Sequence, residues 1–295
     1  MGRVFKYSQI QQKKVPTKED FFRGKTDIIN TIEHTPDITG AIICGSLLHG
    51  TFNSRSDIDV VLYHLDTAPS RAVIKGLRNR SADLNLDVNI VAVDPIIAQT
   101  RYHTISWGFL QHLKKSVDQG GLIKENFLDR LNQDYLDPLG DAAEYISIKL
   151  RYLGKSIDEL EELDPSSDKH IELLQKGLEL PVHVARKYLG IRGIDAGDES
   201  KREVVAAYSI NAPEHLANKL VRLVELDAAY TAILNEQVVK PNKAKYQASL
   251  EMVAERLPEV IEFVRSNALL LDRQVGQEAY ISNVQPVFKE ASSSL

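Results

Sequence analysis

The fold of this chain is decided by residues 44–59, which read CGSLLHGTFNSRSDID. The apolar and β-branched runs on either side of this stretch predict two buried strands. Alternate side chains of a strand share a face, so we expect Asp57 and Asp59 to point one way while the apolar residues beside them point into the core. The predicted order is strand, Gly-Ser turn, short polar link, and a strand that carries two carboxylates.

These residue types suit phosphate chemistry. Two carboxylates on one face repel each other and lose hydration, which is costly unless a cation lies between them. Mg²⁺ is the divalent cation that such oxygen ligands favour. Gly45 lets the backbone approach a ligand closely, and Ser46 offers a hydroxyl and an N–H to a phosphate. A phosphate site beside a metal-binding acidic pair is typical of phosphoryl or nucleotidyl transfer.

A third acidic position follows in the alternating stretch 83–90, which predicts a strand. Its polar face would carry Asp83, Asn85, Asp87 and Asn89, and its apolar face Leu84, Leu86, Val88 and Ile90. Taken together, the Gly-Ser pair, Gly50, the Ser-Asp-Ile-Asp run and this later carboxylate resemble the signature of the DNA polymerase β-like nucleotidyltransferase superfamily, and most closely its minimal and antibiotic-type members. The resemblance covers residues 38–95.

The resemblance implies an α+β fold with a small mixed sheet flanked by helices, followed here by an all-helical bundle. It identifies Asp87 as the third carboxylate, because Leu86 and Val88 flank it as apolar residues flank the family position. It also implies the activity, which is transfer of a nucleoside monophosphate from a nucleoside triphosphate, with ATP favoured, to an acceptor hydroxyl.

Residue roles follow from the same resemblance. The residues expected at the triphosphate are Gly45, Ser46 and Ser56. The catalytic residues, expected to hold two Mg²⁺ or Mn²⁺ ions, are Asp57, Asp59 and Asp87. Antibiotic-modifying relatives use a glutamate from their helical part as the base, and Glu144 is the candidate by the order of elements. The competing interpretation of Glu144 is an ordinary glutamate favoured in the first turn of a helix.

Two other motifs that could explain these residues do not fit the sequence. Gly45 and Gly50 have the spacing of a P-loop, but Thr51-Phe52 stands where Lys-Ser/Thr is required. Nucleotide-sugar glycosyltransferases also carry Asp-x-Asp, yet they place a full nucleotide-binding unit before it, and too few residues precede Asp57. A solvated turn is the remaining alternative for an Asp-x-Asp motif taken alone.

The amino-acid composition and net charge limit the classes of function that this chain can have. The 295 residues are 43% hydrophobic and 26% charged, which is ordinary for a globular protein. The net charge of −5 argues against a large nucleic-acid footprint, so an RNA acceptor is the less favoured option. Cys44 is the only cysteine, which excludes an intrachain disulfide and favours a cytoplasmic location. The sequence shows no apolar run of membrane-spanning length and no signal peptide, so no membrane association is expected.

The predicted domain boundaries are 1–136 for the nucleotidyltransferase domain, 137–284 for the helical bundle and 285–295 for a flexible tail. Helices are predicted over 17–34, 69–80 and 95–115, with a short strand at Leu122–Ile123. Apolar residues spaced three and four apart then predict four or five bundle helices, with Pro181 kinking or splitting one of them.

The sequence motifs are compatible with more than one acceptor of the nucleoside monophosphate. A hydroxyl of a protein, as in antitoxins that adenylylate their toxin partner, and a hydroxyl of a small molecule are equally compatible with the motifs. The alternative function is an antitoxin-like or regulatory nucleotide-binding protein that acts by binding a partner through the bundle. Three converging acids favour the enzyme, because a pure binding module does not need them. Oligomeric state is not indicated by the sequence.

Overall fold

The computed structural model describes residues 6–11, 16–50, 52, 56–84, 86–100, 105–134, 136–162, 167–194, 196 and 200–275, with the backbone alone at 80–84, 154–162 and 272–275. Over these residues the chain is a mixed α+β protein with one three-stranded sheet and a helical C-terminal region. It divides into two compact units, each described by itself below. The first contains the described residues from Pro16 to Leu136, and the second contains those from Asp137 onward together with residues 6–11. The predicted tail, 285–295, lies outside the described residues.

The strands are β1 (Ile38–Cys44), β2 (Ile58–His64) and β3 (Val88–Val93). The helices, in chain order, are α1 (Tyr7–Gln11), α2 (Lys18–Glu33), α3 (Ser46–His49), α4 (Ala68–Leu84), α5 (Pro95–Ala98), α6 (Trp107–Asp118), α7 (Pro138–Glu162), α8 (Asp168–Gly177), α9 (Leu180–Ile191), α10 (Lys201–Asn211), α11 (Glu214–Val239) and α12 (Lys243–Val275). A 3₁₀ helix covers Leu128–Arg130.

The sheet of the first unit has the order β1-β2-β3. β1 and β2 are antiparallel, and β2 and β3 are parallel with α4 as their crossover. The two registers place Asp59 opposite Cys44 on one side and opposite Asn89 on the other. The edge of β1 is continued by residues 121–125, whose backbone bonds to Ala41 and Ile43.

Both faces of the sheet are covered. Ile58, Val60 and Leu62 of β2 pack into one core with α2 and α4, and Val61 and Tyr63 pack into a second core with α6 and the segment 127–131. The apolar residue between the two predicted site aspartates is therefore buried, as the alternation predicted. The polar residues of β2 lie at its two ends, where Asp59 is half-buried and His64 is buried.

The strand predicted over 83–90 is wrong in its first part. α4 continues to Leu84 and β3 begins only at Val88, so Asp83 lies on a helix and not on the strand that follows Asp87. Ile74 and Leu77, buried three residues apart, show the helical period that prevails in this region. The alternation at 83–90 therefore spans a helix end, a link and a strand start.

The predicted helix 95–115 is also corrected, because it is two helices. α5 ends with its Gln99 side chain donating to Arg130 O at 2.7 Å. α6 has its own N-cap, since the Phe109 N–H donates to Ser106 Oγ at 3.3 Å. The predicted strand at Leu122–Ile123 is reduced to isolated bridges, of which Leu122 pairs with Ile42.

The second unit is all-helical over its described residues. α7, α9, α11 and α12 pack against one another, and α8 and α10 complete the bundle. α1, which the sequence-based boundaries placed in the first unit, packs here. The Tyr7 ring contacts the Tyr246 ring in a tilted arrangement with 5.6 Å between centroids, and Lys6 forms an ion pair with Asp168. The split at Pro181 is confirmed, because α8 ends at Gly177 and α9 begins at Leu180.

No helix among the described residues is long and apolar enough to cross a membrane.

Candidate functional site

The candidate site is organised around the turn that follows β1. Gly45 has φ 78° and ψ −164°, a conformation that is essentially restricted to glycine. α3 begins directly after it, and the N–H groups of Leu48 and His49 donate to Gly45 O at 3.1 and 3.4 Å. The first N–H groups of a helix have no partner within the helix, so the Ser46 N–H is not used by the hydrogen bonds of α3.

The turn lies directly against a carboxylate of β2. A Cβ placed on Gly45 would be 2.5 Å from Oδ2 of Asp59, so only a glycine allows this approach. The contact follows from the register, because Cys44 pairs with Asp59 and the next residue passes beside the carboxylate. The Gly-Ser pair and the Asp-x-Asp motif, separated in the sequence, therefore meet at one point of the sheet.

Asp59 has a second partner, on β3. Asn89 lies opposite Asp59 in the parallel register, and its Nδ2 donates to Asp59 Oδ1 at 2.9 Å. This N–H replaces part of the hydration that the half-buried carboxylate loses. Sequence analysis placed Asn89 on the polar face of the strand but gave it no role. The sequence does carry one indication of such a role: Asn89 comes two residues after Asp87, so both lie on one face of the strand.

The other predicted acids lie at the same end of the sheet. Asp57 and Ser56 are half-buried and come just before β2, and Asp87 is exposed and comes just before β3. The Ile58 N–H donates to Asp87 O at 2.9 Å, which joins the two strand starts. Because β2 and β3 are parallel, their starts are neighbours, so all three predicted carboxylates flank one end of two adjacent strands.

The face that these acids share is apolar farther along the strands. Val61 and Tyr63 follow Asp59 at alternate positions and are buried in the core under α6. Asn89 and Asp87, in contrast, are exposed. The sheet face thus changes from a buried core to an accessible polar end, where Asp59 is the half-buried boundary residue.

Two histidines meet beside the turn. His49 is the last residue of α3, and its ring centroid is 6.3 Å from that of His112 on α6. Phe109, one turn before His112, stacks on it at 6.0 Å. His49 and His112 share no sequence motif. Their spacing of more than sixty residues gave no signal, and only the packing of α6 along the sheet brings them together.

Two further acids named in the sequence analysis lie on helices. Asp83 belongs to α4, as described above. Glu144 is an exposed residue of α7 in the second unit, in the second turn of that helix rather than the first. It keeps the role of a candidate base only as an expectation from the sequence.

The donor set suits a hard divalent cation in kind, since carboxylate oxygens are the ligands that Mg²⁺ prefers. As the side chains stand, no group of three or more His, Cys, Asp or Glu residues within the described ranges is arranged to hold a metal ion. One oxygen of Asp59 is taken by the Asn89 amide and the other lies over Gly45.

Comparison with models of known protein families, with curated protein sequences and with solved structures found no match to this chain.

Proposed function

We propose that this protein is a Mg²⁺-dependent nucleotidyltransferase that transfers a nucleoside monophosphate from a nucleoside triphosphate to an acceptor hydroxyl. The observation that carries the proposal is the contact of the Gly45 turn with the Asp59 carboxylate. It puts backbone suited to phosphate next to an acid suited to metal, which is what nucleotidyl transfer requires. The sequence resemblance to polymerase β-like nucleotidyltransferases supports the same reading of the small mixed sheet.

The backbone of the turn would bind the phosphates. Gly45 offers an approach without a side chain, and Ser46 offers a hydroxyl together with an N–H that α3 does not use. Ser56, half-buried before β2, would provide a further hydroxyl near the triphosphate. These groups orient the α-phosphate and contribute no covalent chemistry, so their role is positioning.

The carboxylates would hold the metal, with Asp57 and Asp59 from one strand and Asp87 from the next. When bound, Mg²⁺ offsets the charge of the triphosphate and favours ionisation of the attacking hydroxyl. Asn89 would fix the orientation of the Asp59 carboxylate through its 2.9 Å hydrogen bond. Asp87, exposed at the strand start, is the acid best placed to meet an acceptor arriving from solvent.

The acceptor proposed is a hydroxyl of a protein or small molecule. The net charge of −5 disfavours RNA, whose phosphates would meet an acidic protein. ATP is the nucleotide proposed first.

Labelled nucleotides provide the test of this proposal. The protein is incubated with α-labelled ATP, GTP, CTP or UTP, Mg²⁺ and a cell lysate, and label is followed into protein, RNA and small molecules. Asp57→Asn, Asp59→Asn and Asp87→Asn should each reduce transfer by roughly three powers of ten or more, because metal placement fails while the shape is kept. Asp118→Asn, an exposed change at the end of α6, is the matched control and should keep full activity.

Thermal melting of the same variants separates catalysis from stability. Removing one of several neighbouring negative charges should leave the melting temperature unchanged or slightly raised. Wild-type protein that labels nothing with any of the four nucleotides would favour the alternative of a regulatory partner-binding protein. Variants that unfold would show that the acids are structural.

A further inference from the structure

The second unit contains a polar cluster that the proposed function does not use. α7 and α9 pack against each other as antiparallel neighbours. Asp141 of α7 pairs with Lys187 of α9, with 2.5 Å between Oδ2 and Nζ, and one turn later Tyr145 faces His183 with 6.4 Å between ring centroids. Lys149, one further turn along α7, completes the row. All five residues are half-buried.

The ring of Tyr145 is the centre of this row. The Nζ atoms of Lys149 and Lys187 each lie 5.3 Å from its centroid. A cation over an aromatic face is attracted by the negative charge of the ring, and the attraction grows as water is excluded. The helical spacing accounts for the arrangement, because Tyr145 and Lys149 are four residues apart on α7, as His183 and Lys187 are on α9.

Three polar groups of this row have no hydrogen-bond or ion-pair partner among the described residues, namely the Lys149 amine, the Tyr145 hydroxyl and the His183 imidazole. Within the part of the chain that the structure describes, Lys149 makes no ion pair and no hydrogen bond, so the Tyr145 ring is its only attractive contact. Over the same residues, neither the Tyr145 hydroxyl nor the His183 imidazole makes a hydrogen bond. Half-buried polar groups in such positions are normally satisfied by protein, water or a ligand.

The neighbouring cations are mostly paired. Three ion pairs join lysines near the cluster to carboxylates, namely Lys187 with Asp141, Lys176 with Glu172, and Lys201 with Asp227. Glu179, which is buried, is the further acid that faces Tyr145, and Arg186 is the further cation. Lys149 is thus the unmatched positive charge of the group.

Cations dominate the charged surroundings of His183 and Lys149, while the buried acid Glu179 acts on Tyr145. The pKa of His183 is lowered well below its ordinary value, first by burial and then by Arg186, Lys201 and Lys149, all of them cations. The pKa of Lys149 is lowered by burial and then by Lys176. His183 is therefore neutral at pH 7, with one ring N–H to donate. Burial, followed by Glu179, raises the pKa of Tyr145, so its hydroxyl stays protonated and is also a donor.

We propose that Tyr145, Lys149 and His183 bind a small oxyanion, a phosphate or a carboxylate, in the helical unit. Lys149 supplies the charge, and the tyrosine hydroxyl and the imidazole supply two further donors. A cationic ligand would meet the surplus positive charge, and an apolar ligand would leave all three polar groups unsatisfied. This site stands on residues of the second unit alone and does not depend on the proposed activity.

Calorimetry on the full-length protein tests the site. Inorganic phosphate is titrated in one experiment, and acetate, as the carboxylate, in another. Lys149→Met removes the charge with little change in length and should weaken binding of the preferred anion by about tenfold or more. Lys243→Met, an exposed lysine at the start of α12, is the matched control and should bind as the wild type does. Tyr145→Phe removes only the hydroxyl and should weaken binding several-fold.

A second readout places the anion. Competitive labelling of lysine amines at pH 8, mapped by mass spectrometry, should modify Lys149 faster than Lys243, and saturating phosphate or acetate should protect Lys149 alone. The proposal is overturned if Lys149→Met binds both anions as the wild type does, or if neither anion binds the wild type. It is equally overturned if binding is lost in Gly45→Ala and kept in Lys149→Met, which would place the anion at the turn of the first unit.

Discussion

At the residue scale, Gly45 holds the turn after β1 directly against the Asp59 carboxylate. Its backbone conformation is one that other residues rarely adopt, and a side chain there would collide with Asp59 Oδ2 at 2.5 Å. The residue therefore serves two purposes, since it lets the chain turn after β1 and it leaves the carboxylate accessible beside the turn. The Asp59 carboxylate and the turn after β1 constrain each other through this one position.

Gly45→Ala should lower the free energy of unfolding by about 1–3 kcal/mol, because of backbone strain and the contact with Asp59. It should also weaken binding of a nucleoside triphosphate. Gly76→Ala is the control: Gly76 is exposed within α4 and an added Cβ would meet nothing within 4 Å. That change should stabilise the protein by about 0.5–1 kcal/mol. Urea unfolding of both variants makes the comparison, and a Gly45→Ala protein as stable as the wild type would contradict the geometry of the turn.

Asn89 allows a direct test of charge at Asp59. Asn89→Asp replaces a donor with a second carboxylate at 2.9 Å from Asp59 Oδ1, so the variant should melt at a lower temperature than the wild type in EDTA. Added Mg²⁺ should raise its melting temperature by more than that of the wild type, because the new acid becomes a ligand. Asn89→Ala, which only removes the donor, should gain no such response. Equal shifts with Mg²⁺ in the wild type and Asn89→Asp would count against a metal at this end of the sheet.

At the scale of elements, local sequence signals account for the helix boundaries near the site. α2 begins with a capping box in which the Asp20 N–H donates to Thr17 Oγ at 3.3 Å and the Thr17 N–H donates to Asp20 Oδ2 at 2.9 Å. Thr17 with an acid three residues later is visible in the sequence, and the helix predicted over 17–34 corresponds to α2 at Lys18–Glu33.

The capping box gives a pH prediction. The Thr17 backbone N–H lowers the pKa of Asp20 below its ordinary value. The ionised carboxylate therefore contributes stability that is present above the pKa of the unfolded chain and is lost as the pH falls through the lower folded pKa. Asp20→Asn should accordingly be less stable than the wild type at pH 7, and the difference should shrink toward pH 3. Denaturation at several pH values checks this, and a difference that grows on acidification would contradict it.

Some features of the elements near the site could be predicted from the sequence, and others could not. The strand pair around the Gly-Ser turn and the burial of the residues beside Asp59 were predictable, because the alternation there has one interpretation. The stretch 83–90 was not, since a helix end and a strand start together imitate an alternating strand. Asn89 and the His49–His112 contact depend on register and on helix packing, which no local pattern encodes.

At the scale of the whole molecule, the two units carry different chemistry. The first has the sheet whose polar end carries Asp57, Asp59 and Asp87, with the Gly45 turn against Asp59. The second is helical over its described residues and has its own cluster around Tyr145. We therefore propose a nucleotide site in the first unit and a separate site for a ligand with negatively charged oxygens in the helical unit.

The central claim is that the acids of the first unit need a metal before they accept a triphosphate. Titration calorimetry of ATP into the full-length protein tests it most directly, once in Mg²⁺ and once in EDTA, with Asp59→Asn alongside. Without metal, the carboxylates repel the triphosphate, so binding should be detected in Mg²⁺, fall by about a hundredfold or more in EDTA, and be weak in Asp59→Asn under both conditions. Equal affinity of the wild type for ATP in Mg²⁺ and in EDTA would contradict the account.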